Sequence, residues 1–323
     1  MCRKIFQGVL ASIVVLALCS PVVCGAAAEK YPSRPVDMII GSGVGGGSDQ
    51  MGRNLARLTE KFLGVAMPCS NIAGATGNVA ITNLMSGKAD GYTLSTYIAD
   101  TLATIPGGQA HHKVTDLIWI TRTQAVPSYF FVKADSPFKT IQDLLKFAKE
   151  NPGKLKCSTL GFGSIDDITL RYFALKGFKI TNVPYPASSE RHVSVLGGHN
   201  ELTYDQAGDV KQYLDAKQFR PLIVFATKRQ AAYPDIPCSK ELGYELFLPQ
   251  FRGIVAKKGV PADRIKILAD AMQKAIETPE WKKFSEEQDA QDDSYMGTEQ
   301  FTKWVVNEEN TIRTFMKNFG MAK

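Results

Sequence analysis

Short apolar runs rich in β-branched and aromatic residues alternate along most of this chain with segments of helical spacing. The first run is Val36-Asp37-Met38-Ile39-Ile40, and after it Met51, Leu55, Leu58 and Phe62 recur at i, i+4, i+7 and i+11, one face of a helix. Between them lies Gly41-Ser42-Gly43-Val44-Gly45-Gly46-Gly47-Ser48-Asp49. The unit then repeats. A second glycine loop, Gly74-Ala75-Thr76-Gly77-Asn78, leads into a helix carrying Ile81, Leu84 and Met85 that ends near Gly87. Asp90-Gly91 turns the chain into a strand over residues 92–98, with Asp100 and Thr101 at its end. Ser128-Tyr129-Phe130-Phe131-Val132 is strongly strand-like, and Thr140 followed by Asp143 is a capping-box start to a helix that stops at Asn151-Pro152-Gly153. A strand over 155–159 opens a third glycine-bearing loop, Leu160-Gly161-Phe162-Gly163-Ser164-Ile165-Asp166-Asp167, and the helix after it carries Leu170, Phe173 and Ala174 and ends at Gly177. Further strands are predicted over 180–185, 202–205, 220–227 and 250–256. Two tail helices follow, one with Ile265, Leu268, Met272 and Ile276, the other with Phe301, Val305, Ile312 and Phe315. This alternation predicts an α/β fold of βα units around mostly parallel sheets flanked by helices.

The N-terminus departs from that pattern. Arg3 and Lys4 precede an apolar stretch from Val9 to Leu18, and small residues follow at Gly25-Ala26-Ala27-Ala28. Residues 1–28 therefore read as a signal peptide cleaved after Ala26 or Ala28. The stretch is interrupted by Ser12, Ser20 and Pro21 and falls short of the about 20 apolar residues of a membrane span. The expected mature chain is soluble, exported and long enough for two domains of ordinary size. It keeps 36 basic against 32 acidic residues, a mild excess with no basic block, which gives no case for nucleic acid. Cys69, Cys157 and Cys238 remain after cleavage, an odd number without metal-ligand spacing. One disulfide is allowed, but three unpaired thiols is the preferred reading.

Glycine lets backbone turn sharply and approach a ligand closely. Ser48 or Asp49 can cap the first helix, and the free N–H groups of a helix start favour a carboxylate or phosphate. Three such loops, each feeding a helix, point to anion capture at the C-terminal ends of strands. Gly41, Gly43 and Gly46 satisfy G-x-G-x-x-G, but Val65-Ala66-Met67-Pro68-Cys69 carries no acid where a dinucleotide fold needs one. No G-x-S-x-G elbow occurs, and His111, His112, His192 and His199 lack the spacing of a helical metal pair. Asp166-Asp167 reads as a helix cap and Asp292-Asp293 as a solvated turn. Neither an enzyme, a cofactor nor a bound metal is expected.

In their order these residues also resemble a known family. The resemblance is carried by Tyr31-Pro32-Ser33-Arg34-Pro35-Val36, Gly45-Gly46-Gly47-Ser48-Asp49, Gly74-Ala75-Thr76-Gly77-Asn78 and Ala89-Asp90-Gly91-Tyr92-Thr93-Leu94. It continues through Ser136-Pro137-Phe138-Lys139-Thr140, Asn151-Pro152-Gly153-Lys154-Leu155, Val183-Pro184-Tyr185, Leu196-Gly197-Gly198, Arg220-Pro221-Leu222, Pro234-Asp235-Ile236-Pro237, Glu241-Leu242-Gly243-Tyr244 and Gly259-Val260-Pro261. The chain resembles the periplasmic solute-binding proteins of tripartite tricarboxylate transporters, the Bug family.

That resemblance implies a type II-like two-lobed flytrap, with residues 29–128 plus about 250–323 in one lobe, 129–249 in the other, and a hinge near 128–132 and 249–256. It implies a small carboxylate held by loop backbone N–H groups and ordered water rather than by an arginine fork. The expected binding residues are Ser42, Gly43, Val44, Gly45, Gly46, Ser48 and Asp49 of the first loop and Gly74, Ala75, Thr76, Gly77 and Asn78 of the second. Asp100, Phe162, Gly163, Ser164, Asp166, Tyr185, Pro186, Ala187 and the strand-end Asp205 complete the set. The implied partners are the membrane permease subunits of such a transporter, and the implied state is a periplasmic monomer. The first loop lacks the prolines and phenylalanine common in the family, and Ile165-Asp166-Asp167-Ile168 replaces a His-bearing helix start, which leaves the ligand's identity open. A ligand sensor feeding a sensor kinase is the alternative function, and a cleft enzyme a remoter one.

Overall fold

A computed structural model of the protein describes residues 30–321, so the signal-peptide expectation lies outside the described residues. Two five-stranded sheets carry the fold. The first has the order β2 (Cys69–Asn71), β1 (Asp37–Ile40), β3 (Thr93–Ile98), β10 (Gln250–Lys257), β4 (Leu117–Val126). The second has the order β7 (Thr181–Pro184), β6 (Lys156–Thr159), β8 (Leu202–Gln206), β5 (Ser128–Lys133), β9 (Phe219–Phe225). In the first sheet β1, β2 and β3 pair in parallel, and β10 runs antiparallel to both β3 and β4. In the second, β6 pairs in parallel with β7 and β8, and β5 runs antiparallel to both β8 and β9. Four strands of each sheet thus point one way and one points back. The two lobes share this arrangement, and the returning strand of each is supplied by a chain crossing. Only Pro127 separates β4 from β5, and residues 226–249 return the chain to β10.

Helices cover the sheets: α1 (Gly47–Leu63), α2 (Asn78–Ser86), α3 (Ala99–Ala103), α4 (Ile141–Glu150), α5 (Ile165–Leu175), α6 (Ser188–Leu196), α7 (Lys211–Asp215), α8 (Ala262–Ile276), α9 (Pro279–Glu287) and α10 (Thr298–Asn318). Strand β5 shows why its run is apolar at every position. Phe130 and Val132 join one buried cluster and Tyr129 and Phe131 another, so both faces are covered. The capping box at Thr140 and Asp143 is present, each side chain accepting from the other's backbone N–H. Helix α1 begins earlier than its composition indicated. Its N-cap is Gly46, so Ser48 and Asp49 lie inside the first turn, where Asp49 accepts the Gly45 N–H at 3.0 Å. Met51, Leu55 and Leu58 are buried as expected, whereas Phe62, in the last turn, is 44% exposed.

Several elements escaped the sequence pattern, among them the helices α3, α6 and α7. Strand β4 interleaves Thr121, Arg122, Thr123 and Gln124 among its apolar residues, yet all four are buried, because the segment 293–296 and Arg252 satisfy them. Strand β2 has only three residues. Helix α9 has a Thr278 cap and Pro279 in its first turn, a start signal in plain view. The last helix, α10, packs Phe301, Val305 and Ile312 into the core, and its end reaches the other lobe, where Phe315 and Phe319 meet the Tyr172 ring of α5. Cys69, Cys157 and Cys238 are all unpaired. No helix among the described residues is long and apolar enough to cross a membrane.

Glu308 of α10 supplies a stability test. Burial raises its carboxyl to about 7, with Arg122 pulling the other way. Below the ordinary glutamate value near pH 4.3 it is neutral whether folded or unfolded, and stability is lost as pH rises from there through about 7. Glu308→Gln is expected to raise Tm over the unmodified chain at about pH 8 and to match it near pH 4. A difference of equal size at both pH values would contradict this assignment.

Candidate functional site

Each glycine loop is folded by its own short-range bonds. In the second, Gly74, Ala75, Thr76 and Gly77 all have positive φ (135°, 45°, 54° and 85°). Two of these residues carry a Cβ in a region that L residues rarely adopt, a form of strain concentrated at functional sites. Asn78 donates from Nδ2 to the Ala75 carbonyl at 2.8 Å, and Thr101 donates its hydroxyl to the Thr76 carbonyl at 3.0 Å. In the third, Ser164 caps α5 and its oxygen accepts from the Asp167 N–H at 3.2 Å. Asp167 in turn accepts from the Gly163 N–H at 2.9 Å, and Asp166 from the Leu160 N–H at 2.7 Å.

The loops of the two lobes face each other across a cavity of about 450 Å³. The first lobe lines it with Gly41, residues 74–77, Thr104 and Gln109, and the second with residues 160–162 and 184–186. Thr76 donates its hydroxyl across the gap to the Phe162 carbonyl at 3.4 Å. Close approach explains the first-loop glycines better than unusual dihedrals do. A Cβ on Gly43 would stand 2.8 Å from that of Ala187, and one on Gly46, whose φ is −80°, would collide with Ser188 Oγ.

Behind this cavity, and sharing Leu160 with it, is a chamber of only about 30 Å³, room for a water molecule or two. Its walls include Ser42, Gly46–Ser48, Asp100, Asp166, Ser188, Arg191, Gln206, Asp209 and Arg252. The charges there are buried, and the arginines are paired. Arg252 Nη2 meets Asp209 Oδ2 at 2.5 Å and Gln206 Oε1 at 3.1 Å, and its Nη1 reaches Gln124 and Gln288. Arg191 lies 3.3 Å from Asp205 and 3.7 Å from Asp166. His192 Nε2 donates to Asp205 at 2.6 Å. Burial alone would raise the Asp205 carboxyl, but Arg191, His192 and the Gln206 N–H hold it down to about 2. Burial likewise opposes the Arg191 charge, and Asp205, Asp166 and Asp100 more than offset it.

The expected binding residues divide three ways. Gly74, Ala75, Thr76, Gly77, Phe162, Tyr185 and Pro186 line the larger cavity, and Ser42, Gly46, Ser48, Asp100 and Asp166 line the chamber. The others line neither. Gly43 and Ala187 touch each other across the lobes, Val44 is 64% exposed, and Gly45, Asp49, Asn78, Gly163 and Ser164 hold loop and helix starts together. Asp205 lies next to the chamber without lining it, bound to Arg191 and His192. Sequence reasoning missed Thr104, Gln109, Arg191, Gln206, Asp209, Gln250 and Arg252. The signal for Arg252 was a charge inside the otherwise apolar strand Phe251–Ala256. A shallower depression of about 380 Å³ beside Ile276, Trp281 and Tyr295 is reached by none of the glycine loops.

Residues 51–321 match the family described as the tripartite tricarboxylate transporter family receptor. The chain belongs to that family. It is 30% identical over 319 residues to a UPF0065 protein in the gbd 5′ region of Cupriavidus necator, covering 98% of this chain and 96% of that one. Among solved structures, the receptor superposes on the periplasmic binding protein BugD with TM-score 0.83 at 24% identity, over 91% of this chain and all of that one. It superposes equally on R. palustris Rpa4515 with adipate, TM-score 0.83 at 23% identity, over 90% of this chain and 99% of that one. The receptor is a solute-binding protein rather than an enzyme.

The position of Asp205 yields a test. Removing one partner of a buried ion pair leaves an uncompensated charge and costs about 3–5 kcal/mol. Asp205→Ala is expected to lower unfolding stability in urea by that much, because Arg191 and His192 both lose their nearest carboxylate. A loss under about 1 kcal/mol would contradict the buried-pair reading of Asp205.

Proposed function

We propose that the receptor acts outside the cytoplasm, captures a small carboxylate between its lobes, and delivers it to the membrane subunits of a tripartite tricarboxylate transporter. The observation that carries this reading is the 450 Å³ cavity walled by facing glycine loops at the starts of helices. Its size is within the range of small-molecule sites. Both arginines near it are already engaged by Asp205 and Asp209. An anion in the cavity would therefore be held by neutral donors, namely backbone N–H groups, the Tyr185 hydroxyl and the Gln109 amide. Partial positive charge from helix starts adds to these donors. Such a set suits one or two carboxylates better than three, because among the described residues no Lys or Arg lines the cavity to meet the third. The relative Rpa4515 was solved with adipate, a ligand of that class. The lobes close on the ligand about the crossings at Pro127 and residues 226–249, because only a ligand touching both lobes can favour the closed state.

A ligand bound by the folded state alone raises the melting temperature. In a thermal-shift screen, mono- and dicarboxylates such as adipate are expected to raise Tm more than citrate. Citrate as the strongest stabiliser would refute the charge argument, and no response to any carboxylate would refute the site. Gly77→Val and Gly46→Val are expected to weaken binding of the best carboxylate at least tenfold, about 1.4 kcal/mol. The first introduces a side chain at φ 85° against Thr101, and the second drives one into Ser188. Unchanged calorimetric affinity in both variants would exclude these loops as the site.

A further inference from the structure

The interface between the lobes holds more acid than base. From the first lobe come Asp100, at the start of α3 after β3, and Arg252 on β10. From the second come Asp166 on α5, Arg191 and His192 on α6, Asp205 and Tyr204 on β8, Asp209 beyond it, and Cys157 on β6. Arg252 is taken by Asp209, and Arg191 lies nearer Asp205 than Asp166. Asp205 has His192 as well. Asp100 and Asp166 are left to face each other, 3% and 1% exposed, with Arg191 at 3.7 Å from one of them. Their hydrogen bonds differ. Asp100 accepts at both oxygens, from the Ile165 N–H at 2.9 Å and from the Gln250 amide. Asp166 accepts at Oδ2 from Leu160, and its other oxygen is the one available to carry a proton toward Asp100. The two carboxyls line the same chamber, and the Ile165 N–H that Asp100 accepts belongs to the residue just before Asp166.

We infer that the lobes close with uptake of one proton, held by Asp166 and donated to Asp100 across the interface. Two buried carboxylates in contact cannot both stay ionised without strong repulsion. Opening carries Asp100 away with the first sheet and Asp166 with the second, and water then lets both ionise. Burial raises both carboxyls in the closed form, Asp166 the further because the Asp100 charge adds to it, while the contact with Asp166 pulls Asp100 back down. The sign follows. Below the ordinary carboxylate range the closed form bears no penalty, and as pH rises from that range through the raised value of the pair it is disfavoured, by up to about tenfold per pH unit. Acidification favours capture and alkalinity favours release.

This inference rests on the hinged-receptor reading, and scattering separates the two. The radius of gyration of the unmodified chain, without any added carboxylate, is expected to fall from about pH 8.5 to about pH 5.5. Asp166→Asn keeps the acceptor for Leu160 and gives Asp100 a permanent donor, so it should be compact at both pH values. Asp100→Asn, as a second variant, should likewise lose the pH dependence. Compaction by adipate with no effect of pH would overturn the proton link alone. A response to pH that persists unchanged in both variants would do the same. Indifference to both pH and adipate would remove the hinge, and this inference with it.

Discussion

The structure depends on keeping buried charge matched where the two sheets meet. Asp100, Asp166, Asp205 and Asp209 stand against Arg191, Arg252 and His192 around a chamber with room for only a water molecule or two. An isolated charge in such a place costs several kcal/mol, whereas paired and hydrogen-bonded charges can be held. The pairing constrains everything around it. Gly47 must be glycine because Arg252 and Asp209 occupy the place of its Cβ. Gly208 must be glycine because the Gln288 backbone passes against it. Gln124, Gln206, Gln250 and Gln288 are buried on strands and turns that would otherwise be apolar, each holding a member of the network. Specificity of register is one known use of buried polar groups, and here they fix how one lobe sits against the other.

That network also determines what the neighbouring cavity can do. With both arginines neutralised from behind, the 450 Å³ space presents peptide groups, a hydroxyl and an amide, with helix starts behind the loops. The proposed anion site is then one of moderate field rather than a cationic trap. Conformational freedom is restricted as well. Two chain crossings join the lobes, and α10 rests on both, through Phe301 on one and Phe315 and Phe319 on the other. The proposed lobe motion would have to pivot about these crossings while sliding or bending the end of α10.

Much of this was legible in the chain. The strand–loop–helix rhythm is a local property, and glycine at Gly45, Gly74, Gly77 and Gly163 marks backbone that only glycine adopts freely. Ala75 and Thr76 adopt the same region without that mark, because Asn78 and Thr101 hold them there. The ion network was not legible, since Arg191 and Asp205 or Arg252 and Asp209 become neighbours only through sheet order. Strand β4 was unread for a related reason. Its polar residues look solvent-facing until β10 and the segment 293–296 are placed beside them. Asp205 ends a strand as expected, and the α6 arginine and histidine bind it next to the chamber, which it does not line.

The central claim is that one carboxylate touches the glycine loops of both lobes at once. A crystal structure of the receptor with the best carboxylate from the screen tests it most directly. The ligand should lie in the cavity between residues 74–77 and 160–162, its carboxylate oxygens within hydrogen-bond distance of groups from each lobe. Density confined to one lobe, or lying in the depression beside Trp281 and Tyr295, would contradict the account.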